Sequence, residues 1–223
     1  MAATLIDGPR LDPASGGAAH SVVVFLHGYG ADGNDLIGLG QHMARAFPHT
    51  AFVSPHAPEP CAMAPMGRQW FPLTLRDPSE RWEGVQQAGP VLDAFIDAEL
   101  KRHGLADDRM ALVGFSQGTM MALHVGLRRA RPLAGIVGYS GAIAGGEHLA
   151  AQIRSRPPVL LVHGDADQVI PVQALDMTRQ ALAACEVPVE WHVSHGVGHG
   201  IDNDGLLLGA QFLDMALNGR PKP

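Results

Sequence analysis

Residues Gly114-Phe115-Ser116-Gln117-Gly118 follow the run Arg109-Met110-Ala111-Leu112-Val113 and precede Thr119-Met120-Met121-Ala122-Leu123-His124. The first run has the character of a buried strand, and the second has a helical pattern. A strand, a tight turn with a serine at its tip and a helix are therefore expected in that order. Small residues on both sides of Ser116 let the backbone turn sharply. The hydroxyl then stands above the sheet, and the helix N-terminus behind it favours negative charge. A bare glycine-x-serine-x-glycine string is common by chance. Its strand–turn–helix context makes it a nucleophile elbow and makes acyl transfer the leading chemistry.

The rest of the chain has the same rhythm. Short apolar strands are expected over residues 21–26, 50–53, 112–113, 133–139, 159–162 and 187–193. Helical patterns separate them, over residues 35–47, 85–103, 116–129, 147–153, 172–184 and 204–217, with Gly104 as a C-terminal stop. Such alternation implies mostly parallel strands with helices on both faces, an α/β fold, here in one domain spanning residues 1–223. One segment breaks the rhythm. Residues 55–84 hold five prolines after Pro55, and a loop of that length inside a compact domain is usually functional. A cap-like substrate loop is expected there.

Composition narrows the function classes. The chain has 223 residues, 46% hydrophobic and 17% charged, with a formal net charge of −6, which argues against nucleic acid as a partner. Lysine occurs only at Lys101 and Lys222, and the arginines are scattered. Two cysteines, Cys61 and Cys185, make no disulfide framework in a chain of this size and have no CxxC partner. The start, Met1-Ala-Ala-Thr-Leu-Ile-Asp7, lacks a basic region and a long apolar core. A cytoplasmic location without stable membrane insertion is expected. A homodimer is left open.

A serine hydroxyl is a poor nucleophile at neutral pH, so a base must take its proton and an acid must orient that base. In an open parallel sheet these groups come from loops at the carboxyl ends of strands. Two such loops qualify, His163-Gly164-Asp165-Ala166-Asp167-Gln168-Val169-Ile170-Pro171 and Ser194-His195-Gly196-Val197-Gly198-His199-Gly200-Ile201. The chain order serine, aspartate, histidine is the one this elbow architecture uses. His199, flanked by glycines just before the last helix, is the expected base, with His195 and His192 as rivals. The acid is Asp167 or Asp165. Spacing leans to Asp167, which lies further from the strand and can reach a neighbouring loop. Reading His192, His195 and His199 as metal ligands is disfavoured, because Gly196, Gly198 and Gly200 make a helix there improbable. No metal and no cofactor are expected.

A second glycine-rich turn, Leu26-His27-Gly28-Tyr29-Gly30-Ala31-Asp32-Gly33-Asn34-Asp35, follows the first strand. The elbow fold needs two backbone N–H donors for an oxyanion. One is that of Gln117, immediately after the serine, and the other comes from such a loop. His27 is expected to brace the turn.

Together these four ordered motifs resemble the phospholipase/carboxylesterase family of α/β-hydrolases, over residues 22–217. The resemblance implies an α/β-hydrolase fold, with Ser116 as nucleophile, Asp167 as the triad acid, His199 as base, and Tyr29 and Gln117 as backbone oxyanion donors. The family carries a tryptophan in its cap-like loop, and Gly67-Arg68-Gln69-Trp70-Phe71-Pro72-Leu73 is the similar stretch here. Phe71-Pro72-Leu73 departs from the acidic residue usual after that tryptophan. Met63, Met66, Trp70, Phe71 and Leu73 are expected to form a deformable apolar wall for an acyl chain, and Val169 is a further candidate substrate-binding residue. The reading is a serine hydrolase for carboxylic esters of small to medium acyl chain, its partner a small-molecule ester. Alternatives are an acyl-protein thioesterase or lysophospholipase, and, from another class, a hydrolase-fold protein that binds without turnover. Small esters are favoured because no protein-docking stripe is readable. The binder is disfavoured because serine, aspartate and histidine all stand in their glycine contexts.

Overall fold

A computed structural model of the chain describes residues 6–74 and 79–219. Most of the N-terminal stretch read for a targeting signal, residues 75–78 of the long segment, and Lys222 lie outside the described residues. Seven strands form one sheet in the order β1-β3-β2-β6-β7-β8-β9. They are β1 (Arg10–Leu11), β2 (Ser21–Leu26), β3 (Thr50–Val53), β6 (Met110–Phe115), β7 (Gly135–Tyr139), β8 (Val159–Gly164) and β9 (Val189–Ser194). All neighbours are parallel except β1, which pairs antiparallel with β3. A short hairpin, β4 (Glu59–Pro60) with β5 (Arg68–Gln69), lies within the long segment. The helices are α1 (Gly33–Met43), α2 (Ser79–His103), α3 (Gln117–Gly126), α4 (Leu149–Gln152), α5 (Gln173–Ala184) and α6 (Asn203–Asn218).

Strand alternation splits the core in two. Val22, Val24 and Leu26 of β2, with Met110 and Leu112 of β6, point into one layer with α2, α3 and α5. Val23 and Phe25, with Ala111 and Val113, point into the other with α1 and α6. Both strand faces are therefore apolar, as a sheet covered on two sides requires. The ends of α1 and α6 are set by local chemistry. The Asp32 carboxylate accepts from the Asn34 N–H at 2.8 Å, and that of Asp202 from the Gly205 N–H at 2.9 Å, so each helix starts at a carboxylate cap.

Two features depart from the sequence reading. The strand β1 is too short to leave a pattern. It is anchored by Arg10, whose guanidinium pairs with the buried Glu99 of α2 at 2.7 Å. The long segment is shorter than expected, because α2 starts at Ser79 and takes in residues 79–84. As the helical pattern over residues 85–103 implied, α2 runs on through Pro90, which has no N–H for the Gln86 carbonyl one turn back. Among the described residues, no helix is long and apolar enough to cross a membrane.

Candidate active site

Ser116 sits at the carboxyl edge of the sheet, between β6 and α3, with φ 54° and ψ −113°. That positive φ is a strained conformation for a residue with a side chain. The flanking glycines allow it by contact, not only by flexibility. A Cβ on Gly118 would lie 1.8 Å from the Leu26 carbonyl oxygen, and one on Gly114 would lie 2.5 Å from the backbone of Gly118 and Thr119. The elbow is held from beneath. The Ser116 N–H donates to the Tyr139 carbonyl at 2.9 Å, and the Thr119 hydroxyl lies 2.8 Å from the Gly114 carbonyl and 2.9 Å from that of Tyr139.

The loops after β8 and β9 bring the acid and base candidates together. His199 Nε2 is 3.0 Å from Ser116 Oγ, and His199 Nδ1 is 2.7 Å from Asp167 Oδ2. Asp167 is buried, and its other oxygen, Oδ1, accepts the N–H groups of Val169 at 2.8 Å and Ile170 at 2.9 Å. Burial alone would push this carboxyl up. The His199 hydrogen bond and the two backbone donors outweigh it and hold the group below the ordinary carboxylate range. Asp165 faces elsewhere. It accepts from His195 at 2.8 Å and from the Gly196 N–H at 2.7 Å, on a histidine whose side chain is 88% exposed. His192, His195 and His199 do not converge. His199 meets Ser116, His195 meets Asp165, and His192 lies in β9 opposite Val162 of β8.

The loop after β2 runs directly against the elbow, and a Cβ on Gly28 would lie 3.0 Å from the Phe115 ring and 3.5 Å from Ser116 Cβ. Among the described residues, no protein acceptor engages the backbone N–H of Tyr29 or Gln117. The loop is braced from several sides. Buried His27 accepts the Ala57 N–H at Nε2, so Nδ1 carries the proton and donates to the Gly28 carbonyl at 2.8 Å. Desolvation lowers its pKa and keeps it neutral. The Gly30 N–H donates to the Arg68 carbonyl, and the Arg68 N–H to that of Ala31. The Tyr29 hydroxyl meets the Cys61 thiol, a contact that with burial pushes its pKa up to about 12.

The long segment is tied to the elbow, and this corrects part of the expected acyl wall. The Gln117 side chain accepts the Trp70 N–H at 2.9 Å and donates to the Phe71 carbonyl at 2.7 Å. The Trp70 indole N–H donates to the His27 carbonyl at 3.0 Å. Trp70 and Phe71 are each only 1% exposed and belong to the core, with Phe71 filling the space above Gly84. They anchor the segment and do not line the cavity beside Ser116. Met66, 91% exposed, and Met63 also stand away from it, on the outside of the hairpin turn. An apolar pattern in a loop does not distinguish a residue that anchors from one that lines. Leu73 and Val169 do line that cavity, with Tyr29, Arg81, Ser116, Met120 and Ile170, around a volume of about 110 Å³. Met120 and Ile170 carried no separate signal, since each also reads as core. Ser140 was missed as well. Its hydroxyl donates to the Gly200 carbonyl at 2.9 Å and ties down the loop that carries His199.

Trp70→Ala is therefore expected to act on the fold. Loss of a buried aromatic lowers stability by about 3–5 kcal/mol. A denaturant melt paired with kinetics on short and medium acyl esters separates the outcomes. A shifted chain-length preference with an unchanged melt would put Trp70 back in the acyl wall.

Comparison with known proteins places this geometry in a family. The profile of the phospholipase/carboxylesterase family matches residues 13–217. The acyl-protein thioesterase 1 of Saccharomyces cerevisiae is 30% identical over 216 residues, covering 90% of this chain and 94% of that protein. The crystal structure of esterase PE8 superposes with a TM-score of 0.93 at 46% identity, covering 96% of this chain and 100% of the other. Arabidopsis thaliana SOBER1, at 24% identity and a TM-score of 0.75 over 89% of this chain and 99% of its own, shares the fold. The chain belongs to the phospholipase/carboxylesterase family, hydrolases built on the α/β-hydrolase fold.

Proposed function

We propose that this protein hydrolyses carboxylic esters of small to medium acyl chain through an acyl-serine intermediate. The observation that carries the reading is the unbroken line of hydrogen bonds from Asp167 through His199 to Ser116, at 2.7 and 3.0 Å. Ser116 Oγ attacks the ester carbonyl while His199 Nε2 takes its proton. Asp167, held as a carboxylate, keeps the Nδ1 proton in place and stabilises the imidazolium that forms. The oxyanion develops against the N–H groups of Tyr29 and Gln117. Collapse expels the alcohol, which receives the proton from His199. A water activated by the same histidine then releases the acid and restores Ser116.

The size of the cavity beside Ser116 supports short acyl groups. At about 110 Å³ it is well below the roughly 300 Å³ at which pockets begin to hold drug-sized ligands. Thioester cleavage is the second reading, favoured by the kinship with the yeast acyl-protein thioesterase. Both pass through the same acyl-serine and differ in the leaving group. Rates on matched ester and thioester series of increasing chain length, with fluorophosphonate labelling of Ser116, test the proposal. Labelling and a preference for short oxygen esters are expected. An unlabelled, inactive protein would sink the enzyme reading. A preference for long acyl thioesters would move it to the second.

A further inference from the structure

Helix α3 leaves the elbow and carries His124 eight residues beyond Ser116, and Arg128 follows in the turn after the helix. At the helical rise His124 lies roughly 12 Å from the serine along the axis. Here α2, α3 and α4 line a second, open cavity of about 410 Å³, larger than the one at Ser116. Its walls are Gln86, Gly89, Pro90 and Asp93 from α2, His124, Val125 and Arg128 along α3 and the turn after it, and Gln152 from α4.

Two observations set this cavity apart from an ordinary groove between helices. The first is electrostatic. The adjacent arginines are treated very differently. Arg129 contacts three carboxylates, with Asp97 and Asp107 each at 2.7 Å and Asp93 beside them. Arg128 has no carboxylate partner among the described residues. Its Nε donates to Gln152 Oε1 at 2.9 Å, its Nη1 to the His124 carbonyl at 3.1 Å, and its guanidinium lies 5.5 Å from the Trp82 ring centroid. Buried Nη2 has no hydrogen-bond partner, and neither does Nδ1 of His124, a residue more than nine-tenths buried. The carbonyl and the indole face offset part of the charge and supply no counter-ion. Burial disfavours the Arg128 cation, and burial together with Arg128 pushes His124 down to about 4. Arg128 is half-buried, so its cation is only partly solvated, and no side chain lining the cavity supplies a counter-charge.

The second observation is conformational. Gly89 and Pro90 are the two residue types least suited to a helix interior, and both line this cavity. Gly89 leaves room for the imidazole, since a Cβ there would lie 3.2–3.3 Å from the His124 ring. Pro90 leaves the Gln86 carbonyl without its helical donor. The chemistry at Ser116 uses neither feature. Breaches of local preference that serve no known site are where a further site is to be sought.

We propose that this cavity is a second ligand site, selective for a small organic carboxylate held by Arg128 and His124. The planar guanidinium fork matches a carboxylate, and the imidazole offers a second nitrogen. Asp93, the one acidic wall, is paired with Arg129 and does not take Arg128. The site is independent of the ester chemistry proposed for Ser116.

The test is a titration of the whole protein with sodium acetate at constant ionic strength, followed through the amide resonances of Gly89, Val125 and Gln152. The fluorophosphonate-labelled protein serves as a second sample, so that acetate near Ser116 does not contribute. Saturable shifts at these three residues are expected, with affinity weakened at least tenfold in Arg128→Met. Arg128→Lys keeps the charge and loses the fork, so it serves if Arg128→Met does not fold, and it too is expected to bind more weakly. Shifts that grow with acetate without saturating mean a salt effect only and overturn the site. So do saturable shifts that survive both substitutions. Failure of the fluorophosphonate to label would count against the proposed function and leave this titration interpretable on the unlabelled protein.

Discussion

Replacement of Ser116 by alanine is expected to lower kcat for ester hydrolysis by about 10⁴-fold or more, with the fold intact. No other group in the cavity lined by Tyr29, Leu73, Arg81, Met120, Val169 and Ile170 can form the acyl intermediate. A small residual rate is expected, because the Tyr29 and Gln117 N–H groups and the cavity are unchanged. The alanine keeps the positive φ of this position, so the melting temperature should stay close to that of the parent. Steady-state kinetics on a short ester and a thermal melt suffice. A Ser116→Ala protein that retained substantial turnover would remove the acyl-serine reading altogether.

Asp167→Asn is expected to cost about 10⁴-fold in kcat, whereas Asp165→Asn should cost less than tenfold. The difference follows from the partners. An amide at residue 167 would present an N–H₂ group to His199 or lose the acceptors now serving Val169 and Ile170. The imidazole would then settle in the wrong tautomer, and its charged form would lose its stabiliser. Asp165 holds only the exposed His195 and the Gly196 N–H. Because the Asp167 carboxyl is held below its ordinary range when folded, its contribution to stability is present above that range and fades as pH falls through the folded value. Asp167→Asn should therefore also flatten the acid side of the stability curve. If Asp165→Asn proved the more damaging, the roles of the two loops would have to be exchanged.

Much of this site was legible because its chemistry is punctuated by glycine. Gly114 and Gly118 flank a serine whose backbone must pass within contact distance of β2, and Gly28 marks the loop that presses against it. The order of serine, aspartate and histidine, and the alternation of apolar strands with helical patterns, are likewise one-dimensional signals. The residues that line the cavity left no such mark. Trp70, Phe71, Leu73 and Met66 are all apolar and lie within eight residues of one another. Yet the first two are core, Leu73 is wall and Met66 is surface. Which is which depends on Gln117 reaching across from the elbow to clasp residues 70 and 71, a contact 46 and 47 residues distant along the chain.

The sequence by itself determined the parallel sheet, the elbow and the candidates for nucleophile, base and oxyanion loop. Each is dictated by local backbone geometry, by apolar period, or by a fixed chain order. Spacing only leaned to Asp167 and the family resemblance favoured it, and the tertiary structure places Asp167 against His199 and Asp165 against His195. Two carboxylates two residues apart on one loop differ only in what the neighbouring loop brings to them. The same reason hid the pairing of Arg10 with Glu99, the Ser140 tether on the His199 loop and an Arg128 without a carboxylate partner among the described residues. Partnership of charges and burial of apolar groups belong to the assembled layers, and no local pattern encodes them.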